Sequence, residues 1–61
     1  MKKNIFSEKD IGKKVIDTLF GMGEIIRASD KDIMVKLFRD DIYFTYDLNG
    51  YSVMNNSVTN K

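Results

Sequence analysis

Short runs in which apolar and polar residues alternate are the feature that most restricts the fold of this chain. The clearest run spans residues 33–37, where isoleucine, valine and leucine alternate with methionine and lysine. A period of two residues predicts a β-strand with one buried face. Similar runs cover 13–17, 24–28 and 42–48, and polar or glycine-containing turns separate them. We therefore predict an all-β protein with no helix beyond a single turn.

The length of the chain limits which all-β architecture it can form. Its 61 residues are enough for one domain, whereas a two-sheet sandwich needs about a hundred residues. Four to five short antiparallel strands at this size predict a small barrel. We assign 12–54 to the barrel and 1–11 to a lead-in with one short turn capped by Ser7. Residues 55–61, with Val58 as their one apolar residue, are predicted to be a frayed polar tail.

A spacing of glycines and apolar residues near the first strands carries a family resemblance. In chain order its members are Gly12, Val15, Phe20, Gly21, Gly23 and Ile25. The pattern resembles the opening of Tudor-like, SH3-fold domains that are found at the C-terminus of UvrD/PcrA-type helicases and in CarD-like RNA-polymerase-binding proteins. Together with 44–50 it is also similar to small phage and prophage proteins, although Met22 stands where those often carry Trp. The resemblance implies an SH3/Tudor-like barrel and an accessory role at a host machine.

Phe20, Gly21 and Gly23 are predicted to form a structural turn between two strands. Glycine permits positive φ and a close approach of backbone, and Phe20 would fold over the open end of the barrel. The alternative is a phosphate-binding loop. A dinucleotide fingerprint needs a third glycine and a following helix, so we favour the turn.

Two absent residue types exclude most catalytic chemistry. The chain has no Cys and no His, which removes thiol nucleophiles, thiolate zinc sites and the commonest general base and metal ligand. The serines lack a histidine partner for a nucleophilic triad. The aspartate pairs at 30 and 32 and at 40 and 41 are more typical of turn caps than of a metal site. We expect a protein that is not an enzyme and has no cofactor or metal.

The charge and the lengths of the apolar runs narrow the classes of partner. Ten basic and nine acidic residues give a net charge of +1 and a pI of about 8.0. Non-specific nucleic-acid binding is typical of domains with a pI above about 9, so we expect no strong binding of that kind. The apolar runs are far below the roughly 20 residues that span a bilayer. No signal segment follows the basic start, and we expect a cytoplasmic location, in a bacterial host.

The chain has more apolar side chains than a small core can hold. The predicted core residues are Val15, Ile25, Ile33, Val35, Leu37, Phe44 and Tyr46. The residues of opposite parity that we predict as an interface are Ile16, Ile26, Met34 and Phe38. An apolar outer face of this kind marks an interaction site more often than chance, and a homo-oligomer would compensate for the small core. The alternative is that bulges turn some of these residues inward.

Basic and aromatic residues together suggest a ligand- or partner-binding surface. The candidates are Arg27, Lys36, Arg39, Tyr43, Tyr46 and Tyr51, since such residues can grip phosphates and stack on bases; the alternative is a set of solvated charges. We expect a non-enzymatic, phage-encoded protein that blocks or sequesters a host defence, helicase or transcription factor by protein contact. The alternative function is a homo-oligomeric sponge for a small, cyclic nucleotide immune signal.

Overall fold

The structure, a computed structural model, describes residues 5–61 as five antiparallel strands in one curled sheet. In chain order the strands are β1 (Lys14–Asp17), β2 (Gly21–Ala28), β3 (Asp32–Leu37), β4 (Ile42–Asp47) and β5 (Val58–Asn60). Their order across the sheet is β4-β3-β2-β1-β5. The prediction of an all-β fold with four to five short antiparallel strands is confirmed, and the half-barrel sheet is consistent with a small SH3-like barrel. Among residues 5–61, no helix has the length and apolar character needed to cross a membrane.

The lead-in contributes to the core as well as to the cap that its sequence predicts. The Ser7 side chain accepts a hydrogen bond from the Lys9 N–H, and the Asp10 carboxylate accepts one from the Ser7 N–H, which completes a capping box at a 3-10 turn over Glu8–Asp10. Phe6, just before this turn, is 1% exposed. Its N–H donates to the Leu48 carbonyl at 2.9 Å. Residues 5–11 of the lead-in are therefore part of the folded unit, and residues 1–4 lie outside the described residues.

The glycine loop is shorter than its sequence predicts. The turn occupies residues 18–20, and β2 already begins at Gly21, whose φ of 85° favours glycine. Gly23 lies inside β2, paired with Val15 of β1. A Cβ atom at Gly23 would lie 2.7 Å from the Lys36 carbonyl oxygen. The structural-turn assignment of Gly23 is thus replaced by a role in close strand packing.

The segment 55–61 is not the frayed tail that its polarity predicts. It contains β5, which pairs with β1 and forms one edge of the sheet. Val58 is 2% exposed and Asn56 is 1% exposed. One buried valine and one hydrogen-bonded amide are enough to fix this strand because β1 offers it backbone hydrogen bonds. Between β4 and β5, Tyr51 forms an isolated bridge with Ser57, and Val53 and Met54 lie in an exposed turn.

The core lies on the concave side of the sheet. Six of the seven predicted core residues are buried there, and the seventh, Phe44, is half-buried against them. Phe6, Leu48 and Val58 complete the cluster. The Phe20 ring packs against Phe44, with ring centroids 5.5 Å apart, at the border of the core. Phe20 therefore covers part of the cluster.

A β-bulge in β2 changes which of its side chains point outward. Ile25 pairs with Val35 and Arg27 with Met34, so that Ile26 is an extra residue between them. The bulge shifts the alternation by one residue. Ala28 consequently packs against the core, and Arg27, which shares the sequence parity of buried Ile25, is exposed.

Candidate interaction surface on the outer face of the sheet

The outer face, defined as the convex side of the sheet opposite the core, carries an apolar row of three residues. Ile16 pairs with Met22 across β1 and β2. Phe38 lies next to Met22, since its N–H donates to the Met22 carbonyl at 3.1 Å. Ile16 is 41% exposed and Phe38 44% exposed. Leu19, in the preceding turn, is 62% exposed. Water therefore contacts a strip of large apolar side chains that the core does not use.

A charged row runs beside the apolar row. The register places Lys14, Glu24, Lys36 and Tyr43 in line across four strands. Lys14 and Glu24 form an ion pair with an N–O distance of 3.3 Å. Lys36 forms a second pair with Asp41 at 3.5 Å. Exposed pairs of this kind contribute about 0–1 kcal/mol to the free energy of folding. The row therefore makes this part of the face polar but stabilises the fold little.

A third row contains a cation, Arg27, that is exposed on the outer face. Arg27 pairs with Met34, which pairs with Thr45 of β4. A groove of about 300 Å³ borders this row, and its lining also includes Ala28, Ser29 and Asp32. Among residues 5–61, Arg27 forms no ion pair. The bulge described above is what directs this guanidinium to the outer face.

The structure brings together only some of the predicted binding residues. Arg27, Lys36 and Tyr43 share the outer face. Arg39 lies in the β3–β4 turn, where its guanidinium contacts the Asp40 carboxylate at 3.1 Å. Tyr51 lies beyond β4, where its carbonyl accepts a hydrogen bond from the Asp47 N–H. The six residues therefore do not form one cluster.

Tyr46 is removed from the binding set because its side chain faces the core. It is 1% exposed, and its hydroxyl donates to the Asp17 carboxylate. The period of β4 accounts for this placement, since Phe44 and Tyr46 share one side and Tyr43 and Thr45 the other. The ring is consequently a structural element that the fold shields from solvent.

The four predicted interface residues do share the outer face, in two groups. Ile16 and Phe38 belong to the apolar row, while Ile26 and Met34 lie on the far side of the charged row. Ile26 and Met34 are half-buried. The face thus alternates apolar and charged bands and is not one continuous apolar patch.

A buried polar network supports this face from the core side. Asp17 Oδ1 accepts hydrogen bonds from the N–H groups of Leu19 and Phe20 at 2.7 and 2.9 Å. Its Oδ2 accepts from the Tyr46 hydroxyl at 2.6 Å and the Asn56 amide at 2.7 Å. The network joins the β1–β2 turn, β4 and the segment before β5. The sequence signal for this network is Asp17 itself, an acidic residue two positions after Val15 and therefore on the same, buried side of β1.

Hydrogen bonding determines the ionisation of this network. Burial raises the pKa of the Asp17 carboxyl, but the hydrogen bonds from Tyr46, the two N–H groups and Asn56 outweigh it and hold the pKa below its ordinary value. Burial, together with the adjacent Asp17 carboxylate, raises the pKa of the Tyr46 hydroxyl. The pair is therefore a carboxylate and a neutral phenol at neutral pH. Each oxygen of the Asp17 carboxylate accepts two hydrogen bonds from the protein, so the role of this group is structural.

Neither comparison with known proteins nor a search for candidate metal ligands assigns a function to this face. Comparison of the chain with protein-family models, curated proteins and solved structures finds no match. Among residues 5–61, no group of three or more candidate metal ligands lies together. The chemistry of the outer face is therefore the basis for the function proposed below.

Proposed function

We propose that the chain is a non-enzymatic module that docks a protein partner on the outer face of its sheet. The observation that carries the proposal is the set of residue types gathered there. In chain order they are Met22, Arg27, Met34, Phe38 and Tyr43. Methionine, arginine and aromatic residues are the types enriched in protein interfaces, and tyrosine and arginine are among the types that most often dominate the binding energy.

The arrangement in rows suggests how docking would proceed. Burying the exposed parts of Ile16 and Phe38 supplies the apolar contribution. The charged row would orient the partner and disfavour partners with the wrong charge, which is the usual role of charges at the rim of an interface. Arg27 offers a planar donor to a carboxylate or carbonyl of the partner.

The finer proposal is that docking blocks or sequesters a host factor. The resemblance of the Phe20–Gly23 region to phage proteins and to polymerase- and helicase-associated domains supports a phage-encoded accessory role against defence, helicase or transcription machinery. Blockade needs only occupancy of a surface, and a small non-catalytic domain is suited to that.

A nucleotide sponge is the second candidate. The guanidinium of Arg27 beside the groove of about 300 Å³ favours it. Three features of the other candidate residues weaken it: Lys36 and Arg39 are held in ion pairs, and Tyr46 is in the core. We therefore favour the protein partner.

Native mass spectrometry of the purified chain, with and without cyclic and linear nucleotides, separates the two candidates. The protein-docking proposal predicts that no oligomer gains the mass of a nucleotide. A stable oligomer that gains nucleotide mass, and loses it when Arg27 is changed to Ala, would support the sponge and contradict the proposal. Lys31→Ala, in the neighbouring turn, is the matched control for loss of one exposed charge.

A further inference from the structure

The edge of β1 is matched in detail to the C-terminal segment that covers it. β5 has three residues, and the Ser57 carbonyl just before it accepts a hydrogen bond from the Thr18 N–H at 2.9 Å. Val58 is 2% exposed in the core. The Asn56 amide donates to the Asp17 carboxylate at 2.7 Å. This edge therefore selects its occupant by backbone bonds, an apolar side chain and a buried amide together.

The chain that leads into β5 reverses direction in a hairpin that is symmetric about Met54. Its paired positions, in order toward the turn at 53–55, are Gly50 with Val58, Tyr51 with Ser57 and Ser52 with Asn56. Each pair is equidistant from Met54 along the chain. If the turn opens to an extended strand, two copies related by a twofold axis at Met54 can form the same pairs with each other, because antiparallel pairing of identical segments is symmetric.

The turn is the part of the hairpin that such an exchange would change. Asn55 has a φ of 70°, a left-handed conformation that is costly for residues with a Cβ atom. Val53 is 100% exposed and Met54 63% exposed. In an extended strand the φ of Asn55 would be ordinary, and alternation would place Met54 on the side of buried Asn56 and Val58, facing its copy. Opening the turn therefore removes an unfavourable φ and buries apolar surface.

We propose that two copies of this chain form a dimer by exchanging residues 55–61, so that β5 of each copy pairs with β1 of the other. The occupant of the β1 edge is then the same in both forms, with Asn56 and Val58 in the positions described above. Self-association also offsets the limited core of a domain of this size. The inference goes beyond the proposed function, because the residues named for the outer face lie between 14 and 45 and are present in both forms.

The first test changes the length of the turn in the full chain. Deleting Val53 and Met54 leaves one residue between positions 52 and 56, whereas hairpin loops have about 2–5 residues. The deletion of two residues also keeps the alternation of an extended strand. Inserting two glycines between Val53 and Met54 is the matched control, because a longer loop closes more easily. Sedimentation equilibrium after refolding from urea should give a dimer for the deletion and a monomer for the insertion at equal concentration.

Isotope-filtered NMR tests the exchange in the wild-type chain. Isotope-labelled and unlabelled copies are unfolded together and refolded at about 1 mM, where mass action favours a dimer. Asp17 lies opposite Val58, and this pair is not hydrogen-bonded, since the next pair, Thr18 and Ser57, is. The two Hα atoms are therefore close. We expect a nuclear Overhauser effect between the Asp17 Hα of one copy and the Val58 Hα of the other.

Substitutions at Asn55 test the turn without changing its length, and they decide the question if the deletion variant does not fold. Asn55→Val disfavours the left-handed φ of the closed turn, so the dissociation constant of the dimer should fall by about tenfold or more. Asn55→Gly relieves the same φ in the closed turn, so the constant should rise by roughly threefold or more.

Four results would overturn the inference. They are a wild-type chain that stays monomeric in the refolding experiment, a dimer without the Asp17–Val58 contact between copies, a deletion variant that folds as a monomer, and equal dissociation constants for the two Asn55 variants. Docking on the outer face is measured separately, by crosslinking from position 38, so failure of the two proposals can be told apart.

Discussion

The Tyr46 hydroxyl donates a 2.6 Å hydrogen bond to the Asp17 carboxylate across the interior of the sheet. Both groups are almost completely buried, and the bond joins strands that are not neighbours in the sheet. Asn56 donates to the same oxygen. The outer face is therefore supported by a fixed polar connection between β1, β4 and the C-terminal segment.

Changing Tyr46 to Phe tests the contribution of this bond to folding. The variant leaves a buried carboxylate with one donor fewer, and hydrogen bonds to charged groups contribute about 1.5–3 kcal/mol. We expect the free energy of unfolding, measured by urea denaturation, to fall by about that amount. Tyr43→Phe, the same change at an exposed tyrosine, should stay within about 0.5 kcal/mol of wild type. Equal effects of the two changes would contradict the assigned role.

The same network predicts a stability profile with an acid and an alkaline limb. The pKa of Asp17 is lowered in the folded chain, so its contribution is full above its ordinary pKa of about 3.9 and is lost as pH falls through the folded pKa. The side chain of Lys13 and the Ser7 N–H lower the pKa of Asp10 in the same direction. The pKa of Tyr46 is raised, so its contribution is full below about pH 10 and is lost as pH rises through the folded pKa.

Thermal midpoints measured by circular dichroism across pH check both limbs. In Tyr46→Phe the alkaline loss should become smaller, because the titrating phenol is gone. The acid loss should also become smaller, because Asp17 has one donor fewer and its folded-state pKa lies closer to its value in the unfolded chain. A variant whose midpoints fall in parallel with wild type at every pH would show that the bond does not couple to either titration.

Two valines in the C-terminal segment provide a matched test of β5. Val58 is in the core and Val53 is 100% exposed. Burying a valine contributes roughly 1.5–3 kcal/mol, so Val58→Ala should lower the free energy of unfolding by a value of that order. Val53→Ala should leave it nearly unchanged. Similar values for the two variants would mean that β5 is not held in the fold as described.

Gly23 tests the close packing of β2 against β3. Gly23→Ala places a Cβ atom 2.7 Å from the backbone oxygen of Lys36, which cannot rotate away as a side chain would. Overpacking of this kind costs roughly 1–3 kcal/mol, measurable as a lower urea midpoint. Glu24→Ala, the neighbouring change on the outer face, removes only an exposed ion pair worth at most about 1 kcal/mol. A larger loss from the Glu24 variant would contradict the packing argument.

The strands and most of the core followed from the alternation of apolar residues, which is a local signal. Three features did not. β5 was missed because a polar three-residue strand has little pattern of its own and depends on the edge of β1. The outward position of Arg27 depends on the bulge at Ile26, which shifts the alternation without a glycine to mark it. The Asp17 network joins residues 29 and 39 positions apart in sequence, and local pattern does not report such pairings.

The candidate site was predicted only in part, because the alternation of residues indicates the face of a side chain but not its non-local contacts. Ile16, Met34 and Phe38 were placed on the outer face by parity alone, and the structure agrees with that placement. Tyr46 was assigned to both the core and the binding set, and only its pairing position in β4 resolves which side its ring occupies.

Site-specific photocrosslinking tests the central claim, that the outer face docks a protein. A benzophenone amino acid would replace Phe38 on this face in bacterial cells that express the chain. The control would carry the same amino acid at position 51, beyond β4. We expect a discrete adduct from position 38 that is larger than a dimer of the chain. Excess wild-type chain should reduce the amount of this adduct by competition. A double variant, Ile16→Asp with Met22→Asp, that is shown to be folded should not reduce it. Equal adducts from both positions, an adduct of dimer mass alone, or competition by that variant would contradict it.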